Sequence, residues 1–194
     1  MKKFLKLTLL VTAFTNVLTA GNIFDLHAQH FSNSLDGDGV GARYNLEKVY
    51  VSTALKYVDG LYAPTNTSIQ TMAVEIKTPP SNWSVSFDVS YALNYDNHPI
   101  RFTSDTGKTI HVSFGWNKIY LNGSVIYSNS DRLEHRTAVS GTISKSGNTV
   151  TCSINGYVVE EIIVNNFSKL KFVNVSLLHD SRYDYLNGLN IGSH

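Results

Sequence analysis

The chain has 194 residues, and its 16 basic and 15 acidic side chains leave a formal net charge of +1. This near balance excludes the strong positive field that drives nonspecific binding to nucleic acid or to anionic lipid. The single cysteine, Cys152, excludes an intrachain disulfide, so the stability of the protein must come from a hydrophobic core.

The first twenty residues have the layout of a bacterial secretory signal peptide. Residues 1–3 are positively charged, residues 7–18 are mostly apolar, and Ala20 is a small residue at the expected cleavage point. The alternative is a buried N-terminal helix, and the apolar run is too interrupted for a bilayer span of about 20 residues. We expect cleavage after Ala20, which removes three lysines and takes the net charge from +1 to −2. The product, a single domain over residues 21–194, is expected in the periplasm or outside the cell, without stable membrane insertion.

Two strands are predicted near the start of that domain, over residues 21–31 and 48–58. Between them lies the segment Asp36-Gly37-Asp38-Gly39, whose alternate aspartates suit the oxygen ligands of Ca²⁺. The EF-hand pattern fails, because the residues between this segment and Glu47 lack the required Asp or Asn ligands. The simpler interpretation is a flexible turn, so we predict no cofactor. His27 and His30 do not predict a zinc site, because on a strand they point in opposite directions.

Alternation of apolar and polar residues dominates after residue 45. Residues 83–91 place Trp, Val, Phe, Val and Tyr on one face and Ser, Ser, Asp and Ser on the other. The same period of two occurs in residues 109–114, 149–154 and 171–177. This period is typical of strands with one face in a core and one face in water. No long segment has the three- and four-residue spacing of an amphipathic helix.

Short reversals join these strands. Asn122-Gly123 and Asn155-Gly156 each separate two apolar runs, and this dipeptide accepts the positive φ angles of a tight hairpin. Two further turns are predicted at residues 105–108 and 146–148, two loops at 63–68 and 78–81, and a last strand at 185–192. The pattern predicts an all-β fold, a two-sheet antiparallel β-sandwich, with a closed barrel as the alternative.

Three stretches resemble the concanavalin A-like jelly roll, the superfamily of lectins, glucanases and laminin-G-like domains. Residues 85–89 resemble its early core strand, residues 149–159 its strand, Asn-Gly hairpin and strand, and residues 186–192 its closing strand with an Ile-Gly pair. The resemblance implies that the N-terminal strands return to pair beside the closing strand. It concerns structural motifs, so it implies a fold more directly than a function.

The sequence lacks the local spacings typical of catalytic sites, and a Ser, His and Asp triad stays open because its members are distant in sequence. Hydrolases of that superfamily carry carboxylates at alternate positions of one strand, and glycoside hydrolysis needs two such groups across the bond. None of the glutamates belongs to such an alternation: Glu47, Glu75, Glu134, Glu160 and Glu161. There is no Gly-x-Ser-x-Gly motif, and Cys152 lies in phase with two apolar neighbours, as a buried, inert thiol would. We therefore predict no catalytic residue and no enzyme activity.

Tyrosine is the most suggestive excess in the composition, with 11 Tyr beside 2 Trp. Aromatic rings stack on sugars and anchor protein interfaces, although strands also favour them. Recognition residues usually lie in loops on a rigid scaffold. The predicted ligand-binding residues are therefore those near loops and strand ends: Tyr95, Asp96, Asn97, His98, Trp116, Arg182, Tyr183 and Tyr185.

These patterns favour an exported, non-catalytic recognition module whose partner is a glycan or an envelope protein. One alternative is a structural subunit of a periplasmic or cell-surface assembly, in which the aromatic surface is an interface. The other is a divergent polysaccharide hydrolase. Binding to a glycan that depends on Tyr95 or Tyr183 would favour the recognition module.

Overall fold

The computed structural model describes residues 21–26, 46–52, 55–57, 61–62, 69–90, 100–114, 118–128, 138–177 and 185–194. Within these ranges the secondary structure consists of strands and turns, and the strands form two antiparallel sheets. The predicted all-β sandwich is confirmed. No helix in these ranges is long and apolar enough to cross a membrane.

The first sheet, called sheet A, contains eight strands. They are β1 (Gly21–Asp25), β3 (Lys56–Tyr57), β4 (Leu61–Tyr62), β6 (Trp83–Ser90), β11 (Ala138–Ser146), β12 (Thr149–Ile154), β13 (Tyr157–Ile163) and β15 (Tyr185–Ser193). Their order is β13-β12-β11-β6-β15-β4-β3, and β1 also pairs with β15. The N-terminal strand thus returns beside the closing strand, as the jelly-roll resemblance implied.

The second sheet, called sheet B, contains seven strands. They are β2 (Leu46–Val51), β5 (Gln70–Ile76), β7 (Ile100–Ser104), β8 (Thr109–Phe114), β9 (Lys118–Leu121), β10 (Ser124–Ser128) and β14 (Leu170–Leu177). Their order is β10-β9-β8-β7-β14-β5-β2. Both sheets are antiparallel throughout, and strands such as β5, β6, β8 and β12 alternate buried and more exposed residues, with one face in the core and the other towards solvent.

Aromatic contacts across the core fix how the two sheets face each other. Trp83, at the start of β6, stacks on Phe102 of β7 with ring centroids 5.5 Å apart. Phe87, two inward positions further along β6, meets Phe114 of β8 edge to face, with ring centroids 6.1 Å apart. These rings are buried, and burying one such ring stabilises the fold by about 1.5–3 kcal/mol. The end of β6 therefore lies over the end of β8.

The hairpin predictions are confirmed by backbone angles. Asn122 and Gly123 have φ of 50° and 85°, and Asn155 and Gly156 have φ of 49° and 83°. Two consecutive positive φ angles define the tight turn that connects antiparallel strands without splaying them. The residues between Thr78 and Ser81 lie outside the strands, as predicted.

Of the two strands predicted near the N-terminus, one is wrong, and the other lies partly outside the described residues. The single strand predicted over residues 48–58 is wrong, since β2 ends at Val51 and β3 belongs to the other sheet. The physical reason is a turn in which the Leu55 amide donates to the Ser52 carbonyl at 2.9 Å. The strand predicted over 21–31 ends at Asp25, and residues 27–31 lie outside the described ranges. So do the predicted signal peptide and the segment from Asp36 to Gly39.

Candidate functional site

Most of the predicted ligand-binding residues lie outside the described residues. This holds for Tyr95, Asp96, Asn97, His98, Trp116, Arg182 and Tyr183. Tyr185 is the first residue of β15, where its backbone pairs with Tyr62 and Ser90. The assignment of these residues to a site therefore stays a prediction.

The described strand ends that border those segments lie at one end of the sandwich. In sheet A, β6 ends at Ser90, directly beside the start of β15 at Tyr185. In sheet B, register places the end of β8 at Phe114 level with the end of β14 at Leu177. Phe87 of sheet A contacts Phe114 of sheet B across the core, so the strand ends of the two sheets lie at the same end of the sandwich. The segments singled out from sequence thus start from a common end of the fold.

The outer face of sheet B presents a row of side chains that could contact a ligand. In register, Tyr50 lies opposite Ala73, Ala73 opposite Asn174, Asn174 opposite Arg101, and Arg101 opposite His111. Tyr50 is 54% exposed and Arg101 is exposed, whereas Asn174 and His111 are half-buried. The row crosses five strands, which at the usual strand spacing is roughly 19 Å.

A second tyrosine borders the same face on the other side. Tyr120 of β9 lies opposite Ser113 of β8 and opposite Val125 of β10. Tyr50 and Tyr120 are five strand spacings apart, roughly 24 Å, with Arg101 and His111 between them. Tyr120 is half-buried, and this arrangement suits an extended ligand that runs across the strands and contacts both aromatic side chains.

Positive charge predominates on this face. The outward basic residues are Lys48, Arg101, Lys118 and Lys171. The described carboxylates of the same strands are Glu75 and the exposed Glu47, which lies in the bulge of β2 beside Lys48. Lys171 Nζ lies 2.9 Å from Glu75 Oε1, donates to the Ile76 carbonyl at 3.0 Å and lies 5.6 Å from the centre of the Phe172 ring. Glu75 is thereby neutralised within the face.

The outer face of sheet A has a different chemistry. Three neighbouring strands point short hydroxyl side chains outward: Ser84, Ser86 and Ser90 on β6, Ser140, Thr142 and Ser144 on β11, and Thr149, Thr151 and Ser153 on β12. Several of them bond to groups within the same face. Ser86 Oγ lies 3.0 Å from Thr142 Oγ1, the Ser140 hydroxyl donates to Asp88, and Asn187 Nδ2 donates to Ser90 Oγ at 3.0 Å.

The ionisable groups with displaced pKa values lie away from the outer face of sheet B. Burial, helped by the charge of Glu160, raises the pKa of Cys152 to about 12, which confirms the prediction of a buried thiol. Burial lowers the pKa of Lys145, whose Nζ donates to the Ser81 carbonyl at 3.0 Å. The Ser168 hydroxyl, which donates to Asp105, lowers the pKa of that carboxyl in the turn after β7.

Four of the described carboxylates are held apart by the fold. Glu75 and Asp88 lie in different sheets, and Glu160 and Glu161 pair with consecutive residues of β12, so they point to opposite faces. Within the described ranges, no three His, Cys, Asp or Glu side chains are close enough to hold a metal ion. The outer face of sheet B carries aromatic, amide and cationic side chains, among them Tyr50, Asn174 and Arg101.

Comparison with known proteins shows the fold of this chain but assigns the chain to no family. No protein-family model and no curated protein sequence matches the chain. A structure described as Crh5 transglycosylase in complex with NAG has a TM-score of 0.59 at 14% identity, covering 90% of this chain and 86% of that one. The Ca²⁺/Man3GlcNAc-bound exoplasmic/lumenal domain of VIP36 has a TM-score of 0.51 at 9% identity, covering 81% of this chain and 86% of that one.

A sialidase structure with a TM-score of 0.57 and 10% identity covers 81% of this chain, but this chain spans only 18% of the length of that sialidase. At identities this low, the likeness shows the architecture alone. The architecture is the concanavalin A-like jelly roll that the sequence motifs resembled.

Sequence reasoning missed the residues of the sheet B face. Tyr50, Arg101, His111 and Tyr120 all occupy the polar phase of alternating strands, and that signal is readable in the sequence. What the sequence does not show is that β2, β5, β14, β7 and β8 are consecutive neighbours, because β14 inserts between two strands that precede it in the chain.

Proposed function

We propose that this protein is an exported, non-catalytic domain that binds a glycan on the outer face of sheet B. The observation that carries the proposal is the row from Tyr50 to His111, with Tyr120 beside it. Tyrosine rings stack on the apolar faces of sugars, and Asn, Arg and His side chains bond to sugar hydroxyl groups. A ligand that contacts both tyrosines must be extended, because Tyr50 and Tyr120 are five strand spacings apart.

The proteins that share the fold add support. The Crh5 structure is a transglycosylase bound to NAG, and the VIP36 domain is bound to Man3GlcNAc. These are properties of those proteins. They support the proposal because the same architecture elsewhere presents surfaces to sugars.

The proposal of binding without catalysis rests on the carboxylates. Retaining and inverting glycosidases both need two carboxyl groups facing each other across the scissile bond. On the outer face of sheet B, Glu75 is bonded to Lys171 and lacks a described carboxylate partner at an alternate position of its own strand. Export, to the periplasm or the cell surface, is part of the same proposal and rests on the layout of residues 1–20.

A pair of tyrosine variants tests the proposed face. Binding of the purified full-length protein would first be measured on an array of polysaccharides, and the best ligand would then be titrated by calorimetry. Tyr50→Ala and Tyr120→Ala should each weaken binding by about 3- to 10-fold, because each removes one stacking surface. Tyr157→Ala is the matched control, since Tyr157 is 76% exposed on β13, the edge strand of sheet A.

Two outcomes would count against this proposal. One is the absence of binding to any polysaccharide on the array. The other is a loss in Tyr157→Ala that equals the loss in Tyr50→Ala, since binding would then not depend on the sheet B face.

We propose as a second candidate that the protein is a subunit of an envelope assembly, and one observation favours it. The edge strand β13 exposes Tyr157, Val158 and Ile163 by 76%, 62% and 66%. Apolar residues on an edge strand are a template for pairing with a strand of another chain. Val158→Lys combined with Ile163→Lys should then abolish co-purification with an envelope partner and leave glycan binding intact.

A further inference from the structure

We infer that the glycan recognised by the outer face of sheet B is anionic, a chain of sugars that carries carboxylate or sulfate groups at intervals. The inference rests on the proposed function and adds the chemical class of the ligand. It is carried by the distribution of charge between the two outer faces of the sandwich.

The cations of the sheet B face outnumber its described carboxylates, which are Glu75 and the exposed Glu47 beside Lys48. Lys171 is paired with Glu75. Lys48 lies opposite Glu75 in register, but the Glu75 carboxylate is engaged by Lys171. Arg101 and Lys118 form no ion pair with a described carboxylate, and Arg101 lies between the half-buried side chains of Asn174 and His111.

The outer face of sheet A shows that this charge is local. Its described outward side chains include the carboxylates Asp25, Asp88 and Glu161. The described lysine in the central strands of that sheet, Lys145, is buried and donates to a backbone carbonyl. Since the whole chain is close to neutral, the positive face is a separation of charge across the sandwich and not a result of a basic composition.

The spacing of the cations favours a ligand with repeated charges. Across the sheet, Lys48 on β2 and Arg101 on β7 are three strand spacings apart, roughly 14 Å, and Lys118 lies two strands beyond Arg101. Neither lysine is in the row of Arg101, since Lys48 is level with Thr103 and Lys118 lies beyond the level of Phe114. A single acidic group could contact one of these residues but not all of them. A guanidinium binds a carboxylate or sulfate through two parallel hydrogen bonds, so Arg101 is placed to orient a charged sugar at the centre of the row.

The test compares chains that differ only in charge. Full-length protein would be titrated with polygalacturonate and with its carboxyl-reduced product, and in parallel with dextran sulfate and dextran. We expect binding to at least one charged chain to be about 10-fold tighter than to its neutral counterpart, because several charges act together. Raising the salt concentration from about 0.05 M to about 0.5 M should remove most of this preference.

A matched pair of variants locates the effect. Lys48→Gln combined with Arg101→Gln should reduce the preference for the charged chain by about 3- to 10-fold. Lys77→Gln combined with Lys108→Gln removes two exposed lysines that lie outside the strands, and it should leave the preference unchanged.

The outcomes separate the two levels of the proposal. Equal affinity for each charged chain and its neutral counterpart would overturn the anionic ligand and leave glycan binding standing. Equal losses in the two double variants would also overturn it, since the attraction would then be general. Binding to vesicles that contain phosphatidylglycerol, with no binding to any of the four polysaccharides, would overturn glycan binding itself.

Discussion

The two outer faces of the sandwich arise from the same alternation of apolar and polar residues, but they carry different side chains. On β6, β11 and β12 of sheet A most outward side chains are short. Ser86 bonds to Thr142, and Ser140 bonds to Asp88, within this face. On sheet B the outward side chains include Tyr50, whose ring is 54% exposed. The comparison shows that the inner half of the alternation builds the core of both sheets, so the outer half can differ freely. Polar groups that project beyond the sheet therefore indicate a binding surface better than the alternation itself does.

The largest effect should come from Phe87→Ala, which damages the core that both faces share. Phe87 is buried, contacts Phe114, and its ring fills the space beside Gly141, where a Cβ atom would overlap it. We expect a loss of about 3–5 kcal/mol in the free energy of unfolding, measured by urea denaturation. Ser84→Ala, an outward substitution on the same strand, should change it by less than about 0.5 kcal/mol. Similar losses in the two variants would contradict the assignment of inner and outer faces.

A smaller effect is expected from a change in the charge of the sheet B face. Glu75→Gln removes the carboxylate that binds Lys171 and leaves the sheet B face more positive. If the ligand is anionic, affinity for polygalacturonate should rise by about 2- to 4-fold in calorimetry. Asp88→Asn is the matched change on the other face and should leave affinity unchanged. An equal rise in both variants would show that the net charge of the protein matters and that its placement does not.

A further variant concerns Lys145, the buried lysine of sheet A. Burial lowers the pKa of Lys145, so between this lowered pKa and the ordinary value of 10.5 the unfolded chain binds more protons than the folded one. The free energy of unfolding should therefore rise with pH through that interval, and below it the full cost of a buried charge is present. Lys145→Met should lack this rise when urea unfolding is compared at neutral and at alkaline pH. An unchanged pH profile in the variant would contradict burial of the amine.

The smallest effect is expected where the hydroxyl face is altered. Ser86→Ala combined with Thr142→Ala removes both partners of one hydrogen bond, so neither side is left unsatisfied. Stability should change by less than about 1 kcal/mol, and glycan affinity should not change. A clear loss of affinity in this double variant would place the binding surface on sheet A.

Much of the fold could be predicted from local patterns. The alternation from Trp83 onward and the dipeptides Asn122-Gly123 and Asn155-Gly156 each depend on a few adjacent residues, and the structure confirms them. The prediction over residues 48–58 failed because a turn at Ser52 interrupts an otherwise apolar run without the Gly or Pro that usually marks one.

The candidate site could not be predicted in the same way. Arg101 and His111 are separated by a short turn, so their proximity can be read from the sequence. Tyr50 and Asn174 join them only because β14 and β5 pair across a long stretch of chain, and such pairing is set by the packing of the whole core. The eight residues named from loop composition are a separate prediction that glycan-binding measurements on Tyr95 and Tyr183 variants would test.

The buried thiol of Cys152 can be used to measure opening of the sandwich. The thiol is buried between Ile143 and Glu160 of the neighbouring strands, and its pKa of about 12 keeps it protonated at neutral pH. An aromatic disulfide reagent reacts with thiolates, so it can reach this sulfur only when β12 separates from the core. The rate of labelling therefore measures how often the sandwich opens, without any added probe.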